Sequence, residues 1–276
     1  MKILLIGANS YVGARLYFDL KDSFHVTGTF SNHSLSNDFI HLDITRPDEV
    51  LDCIKNIKPE IIIHAANNAS SRWCDANPEL AIQLNQESTK TIIDTSKTNN
   101  CKIVYISSMS VFDQTTLYGQ TKLASETIVQ HSSIPYLILR PWLILGLSPN
   151  TTNDRPFNRI LKNIDERTPA IYDTSWKFQP TYLHHISEVI ERCIVKDIWN
   201  QIISIAVPEK STRFQTATDI LAPFGIHVLP VDEHKKESYT NPLSELTELK
   251  LPKYSYKQMI ACIIDEIKNL SSFTLS

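Results

Sequence analysis

Short apolar runs alternate with amphipathic stretches from the first residues of this chain to about residue 145. Lys2–Ile6 reads as a strand, Gly7–Ser10 as a turn, and Tyr11–Leu20 as a helix with Val12, Leu16 and Leu20 at fourfold spacing. A strand follows at His25–Phe30, then a polar loop over Ser31–Asn37 and a short strand near Phe39–Leu42. The spacing then predicts a helix over Pro47–Ile57, whose proline stands where a missing N–H costs nothing. Strands at Pro59–Ala65, Lys102–Ser107 and Tyr136–Arg140 bracket helices at Leu80–Thr98 and Tyr118–Gln130. Continuous apolar strands such as IIIH and IVYI, separated by helices, call for a parallel sheet covered on both faces.

After Gly146 the rhythm breaks. Leu147–Pro156 is rich in Ser, Pro, Asn and Thr, and helices follow near Pro156–Ile164, Ile186–Val195, Arg213–Leu221 and Tyr256–Leu270. The chain therefore divides into residues 1–146 and a smaller, mostly helical lobe, residues 147–276, with Gln201–Ile205 expected to return to the main sheet. With 276 residues, 42% of them hydrophobic, a sizeable core is available. A net charge of −3 supplies no field for a polyanion, which argues against nucleic acid as a partner. The five cysteines are odd in number and contain no Cys-x-x-Cys pair, which fits a reducing compartment and argues against a zinc site or disulfide framework. The apolar run in MKILLIGA is too short for a secretion signal and no later stretch spans a membrane, so the cytoplasm is expected.

A strand, a tight glycine turn and a helix make a phosphate site, because the helix N-terminus offers free N–H groups and positive dipole density. Here the turn runs Gly7-Ala8-Asn9-Ser10-Tyr11-Val12-Gly13. Gly7 supplies the turn, and Gly13 lets the helix pack closely on the strand. Ser10 stands where a glycine would bring a pyrophosphate nearest, and Asn9, Tyr11 and Val12 complete the candidate contacts. The same spacing also describes an ordinary strand-to-helix turn. The next strand ends at Phe30 and is followed by Ser31 and Asn32, with no carboxylate to grip a ribose hydroxyl, so NADP is favoured over NAD by a small margin. Asp43 and Ile44 are placed either to bracket an adenine ring or to open the following turn. The fold class is thus α/β, a Rossmann-type doubly wound parallel sheet.

Tyr118 and Lys122 are four residues apart at the start of a predicted helix and project from one face. An ammonium beside a phenol is expected to lower its pKa from about 10 and make it a proton donor or acceptor near neutrality. Ser108 follows a strand at the sheet's carboxyl edge, where open α/β sheets place their sites, and its hydroxyl is positioned to bind a carbonyl that the tyrosine protonates.

The segments ILLIGANSYVG, IIIHAAN, AIQLN, YISSMSVF, YGQTKLASE, LILRPW and QPTYLHHISEVI run in order over nearly the whole chain. Together they resemble the extended short-chain dehydrogenase/reductase superfamily, and within it the dTDP-4-dehydrorhamnose reductase (RmlD-type) branch. The resemblance implies that Ala65, Ala66, Asn67 and Asn85 belong to the cofactor site, that Lys122 also holds the nicotinamide ribose, and that Pro141 lies near the nicotinamide. It further implies a nucleotide-sugar substrate and hydride transfer at a sugar-ring carbon.

Several positions depart from that pattern. Ser10 replaces the middle glycine, only Asp113–Leu117 separate Phe112 from Tyr118, Ser110 stands where rhamnose-type reductases have a tyrosine, and Asn241 occupies a segment that usually carries an arginine. Arg155, Arg159 and Lys162 share a helix face and are placed either to meet a substrate diphosphate or to face water. Trp142 and Trp176 are candidates to stack on a base or sugar, with core packing the simpler reading. His184 and His185 suggest helix capping or pocket lining, and neither sits at metal-ligand spacing. The expected activity is NAD(P)H-dependent reduction of a keto nucleotide sugar. Epimerisation by the same three residues and a non-catalytic regulatory subunit are the alternatives, and a homodimer is the assembly allowed for.

Overall fold

The computed structural model describes residues 1–270. Its centre is a seven-stranded parallel sheet whose first half follows the alternation of the sequence: β1 (Lys2–Ile6), α1 (Tyr11–Leu20), β2 (His25–Phe30), β3 (Ile40–His41), α2 (Pro47–Ile57) and β4 (Ile61–His64). The predicted helix over Leu80–Thr98 is broken. It is preceded by α3 (Ser71–Ala76), begins as α4 (Pro78–Ile82), widens into a π turn at Gln83–Glu87, and continues as α5 (Ser88–Thr98). Next come β5 (Lys102–Ile106), a 3₁₀ turn at Met109–Phe112, α6 (Leu117–Gln130) and β6 (Tyr136–Pro141).

The second half opens with the short β7 (Ile144–Leu145), α7 (Pro156–Glu166), β8 (Ala170–Asp173), β9 (Lys177–Phe178) and β10 (Thr181–Tyr182). It closes with α8 (Leu183–Val195), β11 (Gln201–Ile205), β12 (Ser211–Thr212), α9 (Arg213–Leu221), β13 (Val228–Val231), α10 (Ser244–Glu248) and α11 (Tyr256–Lys268). The sheet order is β11-β6-β5-β4-β1-β2-β3. Residues 201–205 thus rejoin the main sheet, pairing in parallel with β6 from Gln201 against Leu137 to Ile205 against Pro141.

Apolar layers on both faces hold the sheet. On one face Leu4, Ile6, Ile62, Ile103 and Ile138 pack with Val50 and Ile54 of α2 and Ile92 of α5. On the other, a single cluster runs from Ile3 and Leu16 through Phe157, Ile186 and Ile190 to Ile263 and Ile267, so helices of both halves share one core. No helix among the described residues is long and apolar enough to cross a membrane.

A buried polar cluster ties the halves together. Arg15 on α1 pairs with Asp19 and, at 2.8 Å, with Glu266 on α11, and it donates to the Leu147 carbonyl at 2.7 Å. Glu266 also accepts from Tyr182 Oη at 2.6 Å and from the Leu147 amide at 2.9 Å. Charges this deep are tolerated because each is met by opposite charge and hydrogen bonds. His184 and His185 serve the packing: His184 Nδ1 lies 2.9 Å from Asp19, and His185 Nε2 lies 2.8 Å from the Pro252 carbonyl. Both sit in the first turn of α8 behind Tyr182, the residue that caps it, so neither caps a helix or lines the cleft described below. The described residues contain no cluster able to hold a metal ion.

Candidate active site

The loops at the carboxyl ends of β1, β4, β5 and β6 enclose a cleft of about 650 Å3, where open parallel sheets carry their ligands. At one end is the β1–α1 turn. Gly7 takes a left-handed φ of +87°, and a Cβ there would come within 2.7 Å of the Ala66 backbone nitrogen. A Cβ on Gly13 would fall 2.0 Å from the Gly7 carbonyl oxygen, so the helix lies against the strand only because both residues are glycine. Ser10, which replaces the middle glycine, is the N-cap of α1: its Oγ accepts from the Gly13 amide at 3.0 Å. That leaves Tyr11 and Val12, which line the cleft with Ser10, as the first-turn residues whose amides remain for an anion.

Asn9 stands behind this turn. Its Oδ1 accepts from the Leu35 amide at 2.8 Å and its carbonyl accepts from Asn150 at 2.7 Å, which fixes the loop after β2. Ala65, Asn67 and Pro141 line the cleft, whereas Ala66 supports Gly7 from below. Asn85 lies in the π turn and grips Asn68 twice, accepting from its amide at 2.8 Å and donating to its carbonyl at 3.0 Å. The Asn85 carbonyl also accepts from Ser125 at 2.8 Å, coupling the cofactor-side loop to α6. Ser31, Asn32, Asp43 and Ile44 are outside the walls of this cleft. Asp43 makes a turn with Thr45, accepting from its amide at 2.9 Å, and Ile44 is buried in the core.

Ser108 caps the 3₁₀ turn after β5, accepting from the Ser110 amide at 3.1 Å. Thr116 caps α6 and accepts from Gly119 at 3.2 Å, which sets Tyr118 in the first turn facing Ser108. Both line the cleft. Burial pushes the Tyr118 phenol up to about 12, opposed by its hydrogen bond with Ser108 and by the charge of Arg155. The acidifying effect expected from Lys122 is not what governs this phenol. Lys122 is fully buried, donates to the Ile106 carbonyl at 2.7 Å and lies over the Tyr105 ring at 4.2 Å. Burial lowers its own pKa to about 7, with Glu126 acting against the shift. Desolvation outweighs the one-turn spacing for both groups, so Tyr118 holds its proton at neutral pH and is poised as a donor.

The far end of the cleft is lined by Ser110, Trp142, Arg155 and Trp176, and by residues 236–239, which sequence reasoning did not single out. Nothing in the local pattern of KKESYT marks it as pocket-forming, because a chain crossing brings it there. Arg159 is not brought in: it forks onto Asp154 at 2.6 and 2.7 Å and borders a separate small hollow. Lys162 pairs with Glu166 at the surface.

A family profile described as RmlD substrate binding domain matches residues 1–268. The chain belongs to this family. Among the relatives of this RmlD-family chain, methionine adenosyltransferase 2 subunit beta of Xenopus tropicalis is 28% identical over 159 residues, 52% of this chain and 47% of that protein. The dTDP-4-dehydrorhamnose reductase of Salmonella typhimurium is 27% identical over 165 residues, 54% of each chain. The chain thus spans about half the length of the curated relatives it matches. Among solved structures, dTDP-4-dehydrorhamnose reductase from Bacillus anthracis in complex with NADP superposes with a TM-score of 0.82 at 20% identity, covering 96% of this chain and 98% of that one. UDP-glucose 4-epimerase from Thermotoga maritima with UDP-glucose gives 0.82 at 14% identity over 98% and 100% of the two chains. These similarities establish the RmlD-type, extended short-chain dehydrogenase/reductase fold.

Proposed function

We propose that this chain is an NADP(H)-dependent reductase of a keto nucleotide sugar, working in the cytoplasm. The observation that carries the reading is the meeting of Ser108 and Tyr118 in the wall of the same cleft that opens onto the first turn of α1. The glycine cradle fits a dinucleotide: Gly7 and Gly13 leave room where any Cβ would collide, and Ser10, Tyr11 and Val12 supply the anion-facing helix start. Phe30 is followed by Ser31 and Asn32 with no carboxylate, which suits the 2′-phosphate of NADP, and the relative from Bacillus anthracis was solved with NADP. Five free cysteines support a reducing compartment.

The cofactor supplies the hydride. Ser108 Oγ holds the substrate carbonyl by a hydrogen bond, and Tyr118 delivers the proton to its oxygen. Both act at the carboxyl edge of the sheet, in the wall of the cleft. Ser108, with the charge of Arg155, stabilises the phenolate left behind. Arg155 meets the negative charge of the substrate's phosphates, while Lys122, expected at the nicotinamide ribose, is buried behind the cleft wall on the Ile106 carbonyl. Asn85 keeps the Ala65–Asn67 segment in register with α6 through its bonds to Asn68 and Ser125.

The test is NADPH oxidation in the presence of a panel of 4-keto nucleotide sugars. Tyr118→Phe is expected to cut turnover by about 10²- to 10⁴-fold while leaving NADPH affinity nearly intact. Parallel loss of both would assign Tyr118 a structural role. A second reading, a non-catalytic dinucleotide-binding subunit, draws on the match to a protein named as a subunit, methionine adenosyltransferase 2 subunit beta. NADPH binding with no oxidation across the whole panel would favour it.

A further inference from the structure

Two exposed aromatic rings face each other at the far end of the cleft. Phe112 closes the 3₁₀ turn that begins after Ser108, and Tyr239 sits on the irregular segment after β13. Their ring centroids are 4.8 Å apart and the planes lie within 28° of parallel. Both rings line the cleft, and they remain 45% and 54% exposed even though they stack. Large apolar surface left open beside a site is surface available to a ligand.

The two rings differ in how they are held. Phe112 lies 5.1 Å from the Arg140 guanidinium, which Glu126 of α6 fixes through Nε at 3.0 Å and through Nη2 at 2.5 Å, so this ring is referenced to the catalytic helix. Tyr239 belongs to a strap flanked by left-handed backbone at His234 (φ 55°) and Leu243 (φ 55°). The strap is fastened by the Ser238 amide to the Lys177 carbonyl at 2.9 Å and by Asn241 to Gln179 and Ser204, at 2.8 Å each. Polar groups surround the pair: Ser110, Asp113, Glu237 and Ser238 share its end of the cleft.

Aromatic faces with converging hydroxyl and carboxylate groups are the chemistry that recognises a pyranose. Phe112 carries Tyr239 on its face and Arg140 over its ring, so the outer face of Tyr239 covers the sugar's C–H face and the polar groups bond its hydroxyls. We infer that Tyr239, backed by Phe112, forms the sugar-binding wall of the cleft, Phe112 as its fixed support and Tyr239 as the ring that sets which sugar fits. This rests on the nucleotide-sugar reading and deepens it, since a wall beside Ser108 would hold the sugar carbon next to Tyr118.

The experiment compares ligands with and without the sugar. Binding of UDP, dTDP, UDP-glucose, dTDP-glucose and NADPH is measured by calorimetry for the intact chain and for Tyr239→Ala, Tyr239→Phe and Phe112→Leu. Tyr239→Ala is expected to weaken the preferred nucleotide sugar by about tenfold while the matching nucleoside diphosphate and NADPH bind as before. Tyr239→Phe keeps the stacked face and restores the affinity, and Phe112→Leu reproduces the loss. Equal weakening of the sugar and sugar-free ligands, or no change in either, overturns the wall. An intact chain that binds NADPH but none of the four nucleotide ligands overturns the nucleotide-sugar reading itself, and the wall with it.

Discussion

At the turn end of the cleft, Ser10, Tyr11 and Val12 are consecutive residues, placed by one strand-turn-helix unit whose glycines decide the geometry. At the far end, Ser110, Trp142, Arg155, Trp176 and Tyr239 arrive from five separate segments. The first end needs only local backbone conformation, whereas the second exists only when the halves of the chain are docked. What joins them is the polar cluster centred on Arg15 and Glu266, with the Tyr11 hydroxyl donating to the Gly146 carbonyl alongside it. The substrate end is therefore the part that loosening of the tertiary structure reaches first.

The harshest way to break this contrast is Glu266→Ala. It removes a carboxylate with three partners and takes one of the two opposing charges from buried Arg15. A stability loss of about 3–5 kcal/mol is expected, read from the denaturant midpoint at unchanged slope. A loss under about 1 kcal/mol, the range of an exposed pair, would mean that the two halves dock without this cluster. Next in size is Gly13→Ala, since a methyl 2.0 Å from the Gly7 oxygen forces α1 off β1. It should cost about 1–3 kcal/mol and weaken NADPH binding more than nucleotide-sugar binding. The reverse order of losses would contradict the assignment of this end to the cofactor.

The same contrast explains what was legible in the sequence. The strands from Lys2 to Pro141 and the glycine turn are set by periodicity and local chemistry, and the structure has them where the pattern puts them, whereas of Ser108, Tyr118 and Lys122 only the first two reach the cleft wall. The π turn at Gln83–Glu87 was not legible, because its apolar spacing reads as continuous helix. The electrostatics of the pair were misjudged because spacing reports proximity but not desolvation, and burial dominates both Tyr118 and Lys122. Arg155 and Arg159 looked equivalent on one helix face. Arg155 is the N-cap residue at the cleft wall, while Arg159 is one turn on and captured by Asp154. The strap bearing Tyr239 carries no local signal of its place at all.

His64, the last residue of β4, is a buried base. Burial, aided by the Lys122 charge, lowers His64 to about 3. Its unfolded counterpart, near 6.5, takes up a proton first, so this contribution to stability is complete above pH 6.5 and is lost as the pH falls toward the folded value. Stability should drop by about 1.4 kcal/mol per pH unit below pH 6.5, and His64→Gln should flatten that slope between pH 6.5 and 4.5. An unchanged slope would place the acid sensitivity elsewhere in the molecule.

The gentlest test separates the two arginines. Burial raises the Tyr11 and Tyr118 phenols while the charge of Arg155, in the cleft wall, acts against both shifts. Arg155→Ala should raise the KM for the nucleotide sugar about tenfold, since a hydrogen bond to a charged group contributes about 1.5–3 kcal/mol. Arg159→Ala deletes an exposed pair with Asp154 and should change KM and stability by under about 0.5 kcal/mol. If Arg159→Ala raised KM as much as Arg155→Ala, the small hollow beside α7 would have to belong to the substrate site. The far end would then extend past Trp142 and Trp176 rather than stopping at them.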